Sequence, residues 1–408
     1  MTGAATQPVA WVVGTFDTKA EELLYIAGLL RAAGVDAVTV DVGTLSRDAR
    51  ADIGAAHVAG HHPGGAAAVF EAGDRGRAVI AMGEALCALV RERLSTDRID
   101  GMLGIGGSGG TSMIAPALRL LPIGRPKLLV STLASGNMAP FVDVSDLATL
   151  YPVTDIAGLN RLSRTILANA AHALAGMLLH PVPIPAHDDR PALGLTMFGV
   201  TTPCVQQVCA GLQDAFDTQV FHANGSGGRT LEALAAAGLL QAVVDLTTTE
   251  VGQHLAGGVC DAGGHRLDAA ARHGLPWIGS LGALDMINWG GPETIPARHR
   301  GRLFHVHNAN VTLMRSHADE MVAAGRRIAQ QLNDAAGPVR LLLPLGGLSM
   351  LDAPGQPFHD PQADAALFDV LEREFRQTST HRLVRVPHHI NEPAFAQAVV
   401  AQVRDVLG

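Results

Sequence analysis

Short continuous apolar runs, each followed at once by a polar turn and a helical pattern, recur along this chain and narrow its folds more than any other feature. In the first half Val9–Val13, Val35–Val42, Met102–Ile105 and Leu128–Val130 are such runs. Val9–Val13 passes through GTFDTK into the helical spacing Leu23, Leu24, Ile26, Ala27 and Leu30, closed by Gly34. Thr18 and Glu21 stand at capping-box spacing, so this helix is expected to start where the strand signal ends. Strands apolar on both faces need cover on both faces, which points to parallel sheets flanked by helices.

The second half repeats the pattern. Leu193–Phe198, Val220–His222, Val243–Leu246, Trp277–Ser280, Leu341–Leu345 and Leu383–Val386 read as strands. Thr201 and Thr202 form a turn before a helix from Val205, and Thr230–Ala237, Ala318–Leu332, Ala363–Arg376 and Pro393–Leu407 read as further helices. Between the halves, HPVPIPAHDDRPA carries Pro181, Pro183, Pro185 and Pro191. Proline forbids both helix and ladder pairing, so the segment reads as a stiff extended linker. The expected architecture is α/β: two Rossmann-like subdomains, each a mostly parallel sheet covered by helices. Residues 1–180 form the N-terminal domain, 181–192 the linker and 193–408 the C-terminal domain.

A length of 408 residues fits two domains, and 48% apolar against 17% charged residues supplies two cores. Aromatics are only 4%, which suits tight helix-on-sheet packing better than a β-sandwich. A net charge of −8 without a Lys/Arg run argues against nucleic acid as a partner. Cys87, Cys204, Cys209 and Cys260 form no CxxC pair and read as buried small hydrophobes in a reducing compartment. No signal peptide is expected in residues 1–8, and no apolar run approaches the ~18 residues of a membrane span. A cytoplasmic protein is expected, with no membrane partner.

The strongest local motif is GIGGSGGTS, Gly104–Ser112, between a strand and a helical stretch expected over Met113–Leu121. Glycines let successive backbone N–H groups converge on an anion, and the helix N-terminus adds partial positive charge. Ser108, Thr111 and Ser112 add hydroxyl donors. No Lys follows the last glycine as in a P-loop, and no acidic residue stands where a dinucleotide fingerprint needs one. The alternative is a tight turn that binds nothing, although five glycines among nine residues exceed what a turn needs.

A second motif, GTFDTKAEE, Gly14–Glu22, stands at the carboxyl end of the first strand, the edge where open parallel sheets bind ligands. Asp17 is placed to hold Mg²⁺, Thr15 and Thr18 to donate to phosphate, and Lys19 to neutralise it. The alternative is that Asp17 and Thr18 cap the helix while Lys19 is solvated. STLASGN, Ser131–Asn137, follows another strand and is expected to line the same crevice.

The second half carries its own polar motifs. HANGSGGRT, His222–Thr230, is another glycine loop between strand and helix, with Arg229 beside it. DLTTTEV ends a strand on three threonines and Glu250, and His305 and His307 alternate along a strand before Asn308, Asn310, Thr312 and Arg315. Asp285, Asn288, Ser349 and Asp352 fall in loops, and His388, His389 and Asn391 follow the last strand. No metal-ligand spacing supports a protein metal cage, and core histidines are the simpler reading. The preferred reading is a substrate pocket between the lobes. Gly225, Ser226, Gly227, Gly228, Thr230, Glu250 and Asn308 contribute to it, and Arg315 reads a carboxylate or phosphate.

VGTFDTKAEEL, GIGGSGGTSM, STLASGN, VFHANGSGGRTLE, DLTTTEV, GALDMINWG, HNANVTLMR and LPLGGLSMLDAPG together resemble the tobamovirus-resistance-protein-like ATP-binding family, over about Val9–Ala398. The resemblance implies two Rossmann-like subdomains, ATP on the N-terminal one, and homodimers. Carried over by motif, the ATP contacts would be Thr15, Asp17, Thr18 and Lys19 with Gly106, Gly107, Ser108, Gly109, Gly110 and Thr111. Plant members continue into a TIM-barrel-like domain outside the resemblance, so their antiviral role is not carried over. Three functions fit these motifs. One is an ATP-dependent enzyme acting on a small anionic metabolite, with Asp17 as candidate base. Another is a dimeric binding module regulated by ATP without turnover. The third is a sugar-phosphate isomerase or hydrolase that holds no nucleotide.

Overall fold

The apolar runs of the first half become strands, and what lies between them becomes helix. In chain order these are β1 (Val9–Gly14), α1 (Phe16–Ala32), β2 (Asp36–Asp41), α2 (Ala55–Gly60), α3 (Ala67–Phe70), α4 (Arg75–Thr96) and β3 (Gly101–Gly106). There follow α5 (Ser108–Leu118), β4 (Lys127–Ser131), α6 (Ala139–Val142), β5 (Ala148–Leu150) and α7 (Arg161–Leu179). The computed structural model describes residues 7–46, 48–96, 98–182 and 189–408. The chain divides into two units, Met1–Pro183 and Ile184–Gly408. The linker expected over 181–192 falls, for 183–188, outside the described residues.

In the first unit every strand pairing is parallel, in the order β2-β1-β3-β4-β5. Alternate residues of β1 feed two cores, as a period of two requires. Ala10 and Val12 pack with Leu23, Ile26 and Leu30 of α1 and Leu167 and Leu174 of α7. Trp11 and Val13 pack with Met82 and Leu86 of α4 and Ile114 of α5. The α1 helix starts at Phe16, before the expected Thr18, because the Asp41 carboxylate accepts the Phe16 N–H at 3.0 Å and caps it from outside. The α5 helix starts at Ser108, well before the expected Met113, so Gly109 and Gly110 lie in its first turn.

The second unit comprises β6 (Ala192–Met197), α8 (Thr202–Leu212), β7 (Asp217–His222), α9 (Ser226–Ala236), β8 (Ala242–Asp245), α10 (Thr249–Ala256), α11 (Asp268–Ala271) and β9 (Trp277–Gly279). It continues through β10 (Met286–Trp289), β11 (Phe304–Asn308), β12 (Val311–Arg315), α12 (Ala318–Asn333), β13 (Val339–Pro344), α13 (Pro361–Glu374), β14 (His381–Val386) and α14 (Pro393–Leu407). Its six-stranded parallel sheet runs β14-β13-β9-β8-β6-β7. From its own first strand outwards this repeats the topology of the first unit with one strand added. An antiparallel sheet in the order β10-β12-β11, not foreseen from the sequence, is inserted between β9 and α12.

Both units are therefore mixed α/β with a large parallel sheet between helices, the Rossmann-like arrangement expected from the apolar runs. Among the described residues no helix is long and apolar enough to cross a membrane.

Packing is tight where β9 ends. A Cβ on Gly279 would meet the buried Trp277 indole at 2.3 Å and Asp245 O at 2.7 Å. Neither neighbour has room to yield, so Gly279→Ala is expected to cost about 3 kcal/mol. Urea unfolding followed by tryptophan fluorescence checks this, and an unchanged midpoint would contradict the packing account.

Candidate functional site

Strands β1 and β3 lie side by side, yet the helices that follow them take opposite faces of the sheet. A crevice opens beyond the carboxyl ends of strands that part in this way. A cleft of about 710 Å³ occupies that place, within the roughly 300–1,000 Å³ typical of small-molecule sites. Thr15, Asp17, Thr18 and Lys19 line it from the β1 side, and Gly106, Gly107, Ser108, Gly109 and Gly110 from the β3 side.

The glycines of this loop differ in why they are needed. A Cβ on Gly106 would meet the Gly110 backbone at 2.8 Å, so the fold itself requires glycine there. A Cβ on Gly107 would come no nearer than 3.7 Å to Thr132, and one on Gly109 no nearer than 4.0 Å to Val79. Neither residue has a left-handed φ. Gly107 is the N-cap of α5, and Gly109, inside the helix, costs up to about 1 kcal/mol relative to alanine. Packing therefore gives no reason for bare backbone at Gly107 and Gly109, whereas close approach of a ligand does. The first N–H groups of a helix have no partner within it and carry the positive end of its dipole. Helices α1, α4 and α5 all begin at this cleft, marked by Thr15, Arg75 and Ser108.

The charged groups are held by backbone. Lys19 leaves helical geometry, with φ −138° and ψ 23°, and its Nζ donates to Ile156 O at 2.9 Å. Asp17 Oδ2 accepts from Leu45 N at 3.3 Å, and the Thr15 and Thr18 hydroxyls lie 2.8 Å apart. Asp41, behind them, also accepts from Gly43 N at 2.8 Å, and burial raises its pKa above the usual carboxylate range. Its Oδ2 is buried without a partner.

Thr111 does not join the cleft wall. It is buried, and its hydroxyl lies 2.6 Å from that of Ser131. STLASGN braces the loop from behind, with Thr132 N donating to Gly106 O at 3.3 Å. Sequence reasoning missed Thr44, Phe70, Arg75 and Asp155, which also line the cleft. Two signals were available. Asp41–Thr44 follows a strand and so reaches the ligand edge, and Ala78, Met82, Ala85 and Leu89 have the helical spacing that places Arg75 at a helix start.

In the second unit the equivalent crevice, between β6 and β8, is filled by the chain itself. Thr196 Oγ1 donates to Asp245 Oδ1 at 2.6 Å, the Thr201 and Thr247 hydroxyls lie 2.8 Å apart, and all four residues are buried. The second glycine loop wraps a carboxylate of the chain itself. Glu250 Oε1 accepts from Gly225 N at 2.7 Å and Gly228 N at 3.0 Å, and Glu250 Oε2 accepts from Arg266 Nε at 2.8 Å. A Cβ on Gly228 would stand 2.0 Å from that carboxylate. Gly225 and Gly228 thus serve Glu250, whereas a Cβ on Gly227 would meet His222 O at 1.9 Å, and Thr230 Oγ1 bonds back to Ser226 O at 2.9 Å.

Arg315 is buried and donates to Phe358 O at 2.7 Å and to Asp364 Oδ1 at 3.0 Å. Asn308 is exposed on β11, its Oδ1 accepting from Asn310 N. Glu250 and Arg315 are each occupied by their own partners, and Asn308 stands on the surface. His305 and His307 are not core residues either, being half-buried and exposed on β11. Among the described residues no three His, Cys, Asp or Glu side chains are grouped to hold a metal ion.

Comparison with known proteins covers both units. Residues 8–182 match the N-terminal domain, and 190–407 the C-terminal domain, of the uncharacterised protein family UPF0261. A UPF0261 protein of Mesorhizobium japonicum is 52% identical over 96% of this chain and 97% of its own length. The ToMV resistance protein Tm-1(GCR237) of Solanum lycopersicum is 36% identical over 98% of this chain, which spans 56% of that protein. Among solved structures, a UDP-N-acetylglucosamine 2-epimerase aligns over 67% of this chain and 79% of its own at 11% identity, with a TM-score of 0.25.

Buried carboxylates in the second unit make its stability depend on pH. Burial pushes Glu232 up to about 7, and burial together with the nearby Asp352 raises Asp285 and Asp364. A folded pKa above the unfolded value means that folding takes up protons. The stability so gained is complete below about pH 4 and is lost as pH rises through the folded pKa. Asp285 accepts from Ser349 Oγ at 2.7 Å through Oδ2, while its buried Oδ1 has no partner. Asp285→Asn is therefore expected to raise the melting temperature at pH 8 and change it little at pH 5. Equal shifts at both pH values would sink this account.

Proposed function

This chain belongs to the uncharacterised UPF0261 protein family, and on that premise we propose that its N-terminal unit binds a nucleotide, Mg·ATP, by its phosphates in the β1/β3 cleft. The observation that carries the reading is the bare backbone of Gly107 and Gly109. These glycines have no packing or dihedral reason to be glycine, and they stand beside the start of α5 at the point where β1 and β3 part. Polyphosphate fits such a place: it accepts from clustered backbone N–H groups and is favoured by helix dipoles.

In this reading the N–H groups of Ser108, Gly109 and Gly110 donate to phosphate oxygens, and Lys19 and Arg75 offset their charge. Asp17 holds the Mg²⁺ ion, which screens the remaining charge when bound. The loop 43–45 fixes Asp17: its Oδ2 takes the Leu45 N–H, and Gly43 packs so closely that a Cβ there would stand 3.0 Å from the carboxylate. At the strand divergence of the second unit, Thr196, Thr201, Asp245 and Thr247 are buried and hydrogen-bonded to one another. The resemblance of GTFDTK and GIGGSGG to an ATP-binding family makes ATP the nucleotide to test first.

Two measurements test this. Mg·ATP at a hundredfold its Kd stabilises by ~2.7 kcal/mol, which for a unit of this size raises the melting temperature by roughly 5–10 °C. A flat response to ATP, with inorganic phosphate or a sugar phosphate raising the melting temperature instead, would replace the nucleotide with a phosphorylated metabolite. Gly109→Ala is expected to fold with wild-type stability or better, since a Cβ there meets nothing closer than 4.0 Å, and both it and Gly109→Val are expected to lose ATP binding. Retained affinity in both variants would contradict the cradle. Phosphate release in the same samples separates an enzyme from a module that binds without turnover.

A further inference from the structure

The cleft has a part that phosphate does not use. Beside the glycine loop its wall includes Leu45, Val69, Phe70, Ala72 and Val79. Phe70 ends the short helix α3 and is 42% exposed, and Leu45 on the loop after β2 is 85% exposed. Large apolar side chains left open in the wall of a cleft whose remainder is charged and rich in donors mark a ligand with two chemistries. One end is an anion and the other is flat and apolar. A sugar phosphate presents hydroxyls to such a surface and gains little from it, whereas a nucleobase presents a π-face.

We infer that the cleft takes the base of its nucleotide by stacking on Phe70, without reading the base's hydrogen-bonding edge. This rests on the nucleotide reading given above and adds to it the residue that holds the base and the selectivity that follows. Leu45, Val69, Phe70, Ala72 and Val79 carry no side-chain donor or acceptor with which to tell adenine from guanine or from a pyrimidine. Asp74, two residues after Ala72, has its Oδ1 engaged at the start of α4, accepting from Arg77 N at 3.0 Å. Affinity therefore comes from phosphate and ring, and the identity of the base counts for little.

The test measures dissociation constants by calorimetry for Mg·ATP, Mg·GTP, Mg·CTP and inorganic tripolyphosphate on the full chain. The wild type is expected to bind the three nucleotides within about tenfold of one another. Loss of a stacking partner weakens binding by roughly 5- to 150-fold. Phe70→Ala should weaken all three nucleotides by such a factor and leave tripolyphosphate unchanged, and Phe70→Trp should restore them. If the alanine variant fails to fold, Phe70→Leu, which keeps apolar bulk but loses the ring, serves the same comparison. ATP and tripolyphosphate binding with no effect of Phe70→Ala would overturn the stacking site while sparing the nucleotide reading. So would a preference for ATP over GTP and CTP beyond a hundredfold. Failure of both ATP and tripolyphosphate to bind would remove the nucleotide reading and this inference with it.

Discussion

A parallel strand whose two faces are both apolar has to be covered twice, and most of this structure follows from that need. Because β1 alternates Ala10 and Val12 on one face with Trp11 and Val13 on the other, helices must reach both sides. Neighbouring strands then send their helices apart somewhere in the sheet, and in the first unit this happens between β1 and β3. The gap there is a place the fold cannot fill with helix. Its walls are strand ends and helix beginnings, so it is lined with N–H groups and short polar loops rather than with core.

The two units share a strand order and treat this gap differently. In the first, the loop after β3 keeps glycines that the packing does not demand, and the cleft stays open. In the second, Thr196, Thr201 and Thr247 join Asp245 to close the gap, and the glycine loop after β7 wraps a carboxylate of the chain itself. Burying Glu250, Asp245 and Glu232 is costly, and Arg266 offsets it with donors to all three, at 2.8 Å to Glu250, 2.7 Å to Asp245 and 3.3 Å to Glu232. One guanidinium against three carboxylates leaves the cluster short of positive charge. Burial, with a smaller contribution from Asp245, pushes Glu232 up to about 7. The same glycine-rich chemistry thus serves an open cleft in one unit and an internal ion cluster in the other.

The parts of the protein carried by local pattern were legible in advance. Period and burial are properties of neighbouring residues, so the strands at Val9, Met102 and Leu193 and the helices at Leu23, Ala318 and Pro393 could be read directly. Strand-end motifs of the first unit were legible for the same reason: a parallel sheet has one carboxyl edge, and any loop leaving it there shares that edge. This brought GTFDTK and GIGGSGG together, since β1 and β3 turned out to be neighbours. Helix starts were less legible. Phe16 is capped by Asp41, a residue 25 positions away, and no local rule announces a cap from another strand.

What the sequence by itself determined is the α/β class, the alternation of elements and the identity of one glycine loop as bare backbone. Only the tertiary structure decided which polar motifs face a cleft and which face each other. Thr111 and Arg315 look like ligand-binding residues in one dimension, yet each spends its hydrogen bonds inside the protein, on Ser131 and on Phe358 and Asp364. Glu250 and Gly228 look like parts of one open site, and they are partners instead. The physical reason is that a buried polar group must be paired, and its partner is chosen by proximity in space. Proximity among residues twenty or more positions apart is set by strand order, which periodicity does not encode.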